Sequence, residues 1–176
     1  DLDVNGQLGF TYPVYKEGWN FTATPEGKIT LNDKEYNYLF YELDMSEMDL
    51  SLDKNTGFIV SSDTLLNFLE NSLNQMGFTA AESADFITFW YPQMMKNENN
   101  YVHFLFNDAC DVYAELKITP MPDAVYRVGM IWGEANEANL NFEPQLIPKM
   151  DRSGFTVIEW GGAEMEEFTR ILTTVE

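Results

Sequence analysis

An α+β fold is what this sequence predicts: a mainly antiparallel sheet with a helical hairpin inserted at about residues 62–97. Two observations predict it. Only the stretch from Gly57 to Asn97 repeats its apolar residues at helical spacing between readable caps. On either side the pattern changes to short alternating runs punctuated by Gly, Pro, Asn and Asp, the signature of strands and turns.

The first sixty residues read as a series of short strands. From Trp19 to Thr24 the apolar residues Trp19, Phe21 and Ala23 alternate, and Pro25-Glu-Gly27 is turn chemistry leading into Lys28–Leu31. Asn32-Asp33 marks another turn. From Tyr36 to Leu43 both faces are apolar, Tyr36, Tyr38 and Phe40 against Leu39, Tyr41 and Leu43, which predicts a strand in the middle of a sheet with cover on both sides. An acidic stretch over 44–55 follows, and Gly57 opens a short strand over Phe58–Val60.

The first helix is expected to be capped by Ser62 or Asp63. It carries Leu65, Leu66, Leu69, Leu73 and Met76 at helical spacing and stops at Gly77. Thr79 and Glu82 form the S/T-x-x-E box that opens a second helix loaded with Phe86, Ile87, Phe89 and Trp90, with a stop or kink expected at Pro92. Strands are expected again over Tyr101–Phe106 and Val112–Ile118, the latter ended by Pro120 and Pro122, then over Tyr126–Trp132 and Phe155–Trp160, the last ending at Gly161-Gly162. The segment from Gly133 to Ser153 lacks periodicity, and loops of that length are often functional. Met165, Phe168, Ile171 and Leu172 suggest a short terminal helix.

With 176 residues, the chain is long enough to bury a sizeable core as one domain, 1–176, without disulfide or metal. A net charge of −19 repels nucleic acid and anionic membranes, which excludes both as partners, and no apolar run approaches the length that spans a bilayer. Cys110 stands alone, so the chain has neither an intramolecular disulfide nor a cysteine metal cluster. Asp1 as first residue, without methionine or signal peptide, fits either a processed exported protein or a trimmed piece of one.

Candidate chemistry is sparse. The alternating oxygens of Asp49, Ser51, Asp53 and Asn55 suggest a calcium loop. Counted from Asp53, however, Phe58 falls where the sharp turn needs glycine and Thr64 where a bidentate glutamate is needed, so no metal and no cofactor is expected. His103, the single histidine, lies in an apolar run with no serine–aspartate partnership or HExxH around it and reads as a satisfied core or surface histidine. Glu42 and Glu159, both at strand ends beside aromatic rings, are the one carboxylate pair with the makings of a glycosidase site, although glutamates at strand ends are common. Trp19, Trp132 and Trp160, with Tyr12 and Tyr15, sit at strand ends or turns, where rings can form a platform for sugar or an anchor for a protein partner.

The pieces Tyr12-Pro13, Gly18-Trp19, Tyr36-Asn-Tyr-Leu-Phe40 with Glu42, Trp90-Tyr-Pro92, Ile118-Thr-Pro120, Arg127-Val128 and Arg152-Ser-Gly-Phe155 through Glu159-Trp-Gly-Gly162 run across nearly the whole chain. On these the chain resembles a family of uncharacterised bacterial proteins, many from gut-associated bacteria and many exported or lipid-anchored. It departs at Tyr41, where that family more often has tryptophan. The resemblance implies an exported location, secreted or lipid-anchored at the cell surface, and supplies no catalytic residue. The expected function is therefore a non-catalytic exported binding or interaction domain with a protein or glycan partner. The alternatives are a carbohydrate-binding module using exposed aromatics and a glycoside-active enzyme using Glu42 and Glu159.

Overall fold

The computed structural model describes residues 1–44, 52–53, 55–135 and 142–165. The α+β class is as the sequence predicts. In chain order the elements are β1 (Leu2–Val4), β2 (Gln7–Tyr12), β3 (Thr22–Ala23), β4 (Ile29–Leu31), β5 (Lys34–Tyr36), β6 (Phe40–Asp44) and β7 (Phe58–Ser61). They continue with α1 (Ser62–Met76), α2 (Ala80–Met94), β8 (Asn99–Phe106), a 3-10 turn (Asn107–Val112), β9 (Ala114–Leu116), β10 (Ala124–Glu134) and β11 (Thr156–Glu164). The chain divides into two compact units: Asp1–Leu50 with Cys110–Met121, and Ser51–Ala109 with Pro122–Glu176.

The second unit is a four-stranded sheet in the order β11-β10-β8-β7 with both helices on one face. Strand alternation sorts the side chains. Val102 and Phe104 of β8, with Val128, Met130 and Trp132 of β10, face the helices and meet Leu65, Leu69, Leu73, Phe86, Trp90 and Met94 in one buried cluster. β7–β8 and β8–β10 pair antiparallel, whereas β10 and β11 run parallel, in register from Ala124↔Thr156 to Trp132↔Glu164. That parallel pair is what makes a long return segment between them necessary, since parallel neighbours cannot be joined by a tight turn.

The helix signals translate with small shifts. Ser61 rather than Ser62 or Asp63 is the N-cap of α1, and Gly77 ends it in the left-handed conformation at φ 91°. At α2 the capping box is complete: the Glu82 N–H donates to Thr79 Oγ1 (3.3 Å), and the Thr79 N–H donates to Glu82 Oε2 (2.7 Å). Arg152 draws the two helix ends together, its Nε donating to the Gly77 carbonyl (3.1 Å) and its Nη2 pairing with Glu82. Burial pushes the Glu82 carboxyl up, but the bonds from Arg152 and Thr79 outweigh it and hold the group below its usual range. The stop expected at Pro92 does not occur. α2 runs on to Met94, because in the last turn the missing N–H costs a single bond. Beyond it the buried Asn100 donates from Nδ2 to the Met94 carbonyl (3.0 Å), closing that helix end.

Four strand expectations are corrected. Tyr36–Leu43 is not a central strand: β5 ends at Tyr36, β6 begins at Phe40, and Tyr38 between them is exposed. Of the rings on those two faces, Tyr36, Phe40 and Tyr41 lie in two- and three-stranded sheets of the first unit. Val112–Ile118 shrinks to β9, because 107–112 coils into a 3-10 turn, and Trp19–Thr24 shrinks to β3. Gly161-Gly162 does not end β11 but lies within it, and a Cβ at Gly162 would run into the Met130 carbonyl of β10 and stand 3.2 Å from Trp90 Cζ2, so the absent side chain admits the close approach of β10 first and of the helix second. The acidic positions 45–51 and 54, the central part of the 133–153 loop at 136–141, and the expected terminal helix from Phe168 lie outside the described residues.

The helix-to-sheet packing carries a direct test. Phe86 is fully buried between α1 and the sheet and touches Trp160 at 5.2 Å between centroids. Phe86→Ala is expected to lower the unfolding free energy by about 3–5 kcal/mol, read as a fall in urea midpoint at unchanged m-value.

Candidate functional site

The sequence candidates separate into two groups. Trp132 is 1% exposed, packs edge-on against Trp90 at 6.4 Å, and belongs to the core rather than to a solvent platform. The indole N–H groups of Trp132 and Trp90 find no acceptor among the described residues, so both rings serve as apolar volume. Trp160 is half-buried against Phe86 and Phe89 in the same cluster. Trp19 lies in the first unit, where its indole N–H donates to the Pro13 carbonyl (2.9 Å) and its ring meets Tyr15 edge-on at 5.0 Å. Its polar edge is therefore used inside the unit.

Glu159 lies on the sheet face opposite the helices. Its register partner on β10 is Arg127, and the guanidinium Nε donates to Glu159 Oε2 at 2.5 Å. The side chains are 5% and 12% exposed. Both charges are largely out of water, and such a pair stands only because each neutralises the other. Asn107, at φ 49°, accepts the Arg127 N–H on its Oδ1 (3.1 Å) and extends the β8–β10 ladder one step past Phe106, which fixes Arg127 at the start of the buried stretch. Glu159 is thus engaged by a cation, and Glu42 belongs to the other unit.

Glu42 has different surroundings. It follows Phe40 by two residues on β6, so the two project from one face. Opposite it β2 carries a bulge between Leu8 and Thr11, where two residues face one. The bulge presents Phe10 toward Phe40 (5.9 Å, tilted), Tyr12 stands opposite Phe40 in register, and the Tyr12 ring meets Tyr36 edge-on at 5.6 Å. Phe10 and Tyr12 are 56% and 54% exposed, and the Glu42 carboxylate is exposed and hydrogen-bonds to no described residue. The outcome is a contiguous set of four rings beside an available acceptor. Tyr36, Phe40 and Tyr12 stand out in the sequence as strand and turn aromatics, and Phe10 alternates with Tyr12 across Thr11, so period-two spacing is the signal that puts it on the same face.

A second polar group surrounds His103, buried on the face opposite the helices. Its Nδ1 lies 3.2 Å from the Thr56 carbonyl and 3.1 Å from Tyr101 Oη, and its Nε2 lies 3.1 Å from Gln145 Nε2. Burial and then the charge of Asp53 push the Tyr101 hydroxyl up to about 12. As the sequence suggests, this histidine has both ring nitrogens occupied. Asp53 spends Oδ1 on the Asn55 N–H (3.0 Å) and its side-chain amide (3.1 Å), an Asx turn, and no cluster of three or more metal-ligating side chains exists among the described residues.

The Arg127–Glu159 pair predicts a non-additive cycle. Arg127→Met or Glu159→Met alone is expected to cost about 3–5 kcal/mol in urea unfolding, because the remaining buried charge loses this counter-charge, whereas the double variant costs less than the sum. Additive losses would show that the two charges do not depend on each other.

No family model and no solved structure matches this chain. Over 45 residues it is 44% identical to an uncharacterized protein in the bglA 3' region of Butyrivibrio fibrisolvens, a match that takes in 24% of this chain. The chain spans about half the length of that curated relative, 47%.

Proposed function

We propose that this chain is an exported binding or interaction domain without catalytic activity, and that its recognition surface is the ring face of the first unit formed by Phe10, Tyr12, Tyr36 and Phe40. One observation carries the reading: these rings are contiguous, two of them are more than half exposed, and they stand beside the unpaired carboxylate of Glu42. Aromatic rings give large contact area at low cost in side-chain entropy, and exposed rings point to recognition when they adjoin one another. The exported location rests on the resemblance through Arg152-Ser-Gly-Phe155 and Glu159-Trp-Gly-Gly162. No helix among the described residues is long and apolar enough to cross a membrane.

A second reading is a carbohydrate-binding module. It draws on the same face, where rings can stack on a sugar and Glu42 can accept from its hydroxyls. The tilted and edge-on ring angles give a stepped surface rather than a flat one, which suits a short or branched glycan better than an extended sheet-like polymer.

A glycan array probed with the full chain and with a Phe10→Ala/Tyr12→Ala variant separates the readings. Each ring removed is expected to weaken ligand retention by about tenfold, near 1.4 kcal/mol, with little change in melting temperature because the rings are half in water. Glycan hits lost in the variant assign the face to sugar. A blank array, with envelope proteins retained by the parent chain and released by the variant, assigns it to a protein partner. Equal retention by both would place recognition elsewhere on the chain.

A further inference from the structure

We propose that His103 and Gln145 form an acid-released latch on the uncovered edge of β8, closed while the imidazole is neutral and opened when Nε2 takes up a proton. β7 pairs with β8 only as far as Phe58↔Val102, so at Phe104 the strand has a backbone donor and acceptor with no neighbouring strand on that side. The Gln145 side chain supplies what the missing strand would. Its Oε1 accepts the Phe104 N–H (2.7 Å) and its Nε2 donates to the Phe104 carbonyl (2.9 Å). These two bonds fix which end of the amide is which. The second Nε2–H of Gln145 then points at His103 Nε2, which must accept it.

The other side of the ring agrees. The Thr56 carbonyl can only accept, and it takes the Tyr101 O–H (2.8 Å) as well as His103 Nδ1–H. With its hydrogen committed to Thr56, the Tyr101 oxygen faces Nδ1 as an acceptor. The proton of the neutral ring therefore sits on Nδ1 and the lone pair on Nε2. A proton added to Nε2 would set one N–H against another. Turning the amide over would aim its oxygen at the Phe104 carbonyl and its NH2 at the Phe104 N–H, losing both bonds at once. Protonation thus leaves the amide no arrangement that keeps its partners, and Gln145 must leave the edge.

The release is local. Glu143 N–H donates to the Asn55 carbonyl (2.9 Å), Gly57 N–H to the Glu143 carbonyl (3.0 Å), and Tyr126 O–H to the Pro148 carbonyl (2.7 Å), so the segment is pinned on both sides of Gln145. Among the described residues, Tyr101 is the titratable group that faces the ring from β8, and Asp53 acts on it from the segment before β7. The β10 residue opposite is Ile131, and the strap brings the amide of Gln145 with the exposed Glu143 two residues before it. Burial pushes His103 below its ordinary value; the Thr56 carbonyl and the Asp53 charge oppose it without reversing it. The sign follows: unfolded chain binds this proton from about pH 6.5 downward, before the folded chain does, so the latch stabilises fully above that pH. Its contribution is lost as pH falls through the lowered folded value.

Hydrogen exchange by NMR on the full chain, corrected for intrinsic rates, tests this together with 15N shifts of the single histidine. Near neutral pH the ring is expected to be the Nδ1–H tautomer. As pH falls, protection of the Phe104 amide should drop by roughly tenfold per pH unit through the His103 titration, and its exchange should stay insensitive to low urea because the opening is local, while Leu69 in α1 exchanges only by global unfolding and loses protection steeply with urea. His103→Gln should abolish the pH dependence. Gln145→Ala should leave Phe104 poorly protected at every pH. An Nε2–H tautomer, protection at Phe104 that does not follow the histidine shifts, or Phe104 exchange that depends on urea as steeply as that of Leu69 would overturn the proposal, and each is read on the unmodified chain even if a variant fails to fold.

Discussion

The packing of α1 and α2 onto one face of the four-stranded sheet is the interaction on which the rest of the second unit depends. Leu65, Leu69, Leu73, Phe86 and Met94 reach 1% exposure or less only because β8 and β10 turn Val102, Phe104, Val128, Met130 and Trp132 toward them. Burying a large apolar side chain fully is worth about 1.5–3 kcal/mol, and here ten side chains of one cluster are less than 2% exposed. That gain holds the helices in place, and the helices in turn fix the sheet whose opposite face carries the polar residues.

Once the sheet is committed to this arrangement its ends and edges must be finished, and side-chain amides do most of that finishing. Asn107 continues the ladder past Phe106 to Arg127, Gln145 stands in for a strand at Phe104, and Asn100 closes the end of α2. Each answers the same constraint, that a backbone N–H or carbonyl removed from water needs a partner. Gly57 serves the same end by conformation. At φ 143° it brings the chain close under the Tyr101 ring, where a Cβ would stand 2.5 Å from Cε2, and lets the Thr56 carbonyl meet both Tyr101 and His103. A sheet completed by side chains rather than by further strands can also be opened by one side chain, which is why the His103–Gln145 contact has consequences beyond its own strength.

The first unit is organised on a different principle. Its sheets have two or three strands, too few to enclose a core of the second unit's kind, and its aromatic residues pack edge to face at the surface. Rings held this way keep fixed positions while remaining half in water. A recognition face on this unit and a packed core in the other are compatible uses of the same aromatic-rich composition.

Local chemistry was readable from the sequence alone. The Thr79–Glu82 box, the left-handed stop at Gly77, the strand after Gly57 and the alternation of β8 and β10 each depend on residues close in the chain, so their signals survive without a fold. Pairings between distant residues were not readable. The β2–β6 pairing that brings Phe10 to Phe40, the buried partnership of Arg127 with Glu159, the parallel register of β11 and the amide of Gln145 at Phe104 all join positions that only the folded backbone brings together. Trp132 and Trp19 show the division clearly. Their types and neighbours suggested exposed rings, but how much water a ring sees is set by what packs over it, and one went to the core while the other spent its N–H on Pro13. The sequence determined where the two helices lie and where the long strands β8 and β10 run, because capping and periodicity are local; tertiary structure decided how far the short strands extend and which polar and aromatic groups remain available to a ligand, because pairing and burial are not local.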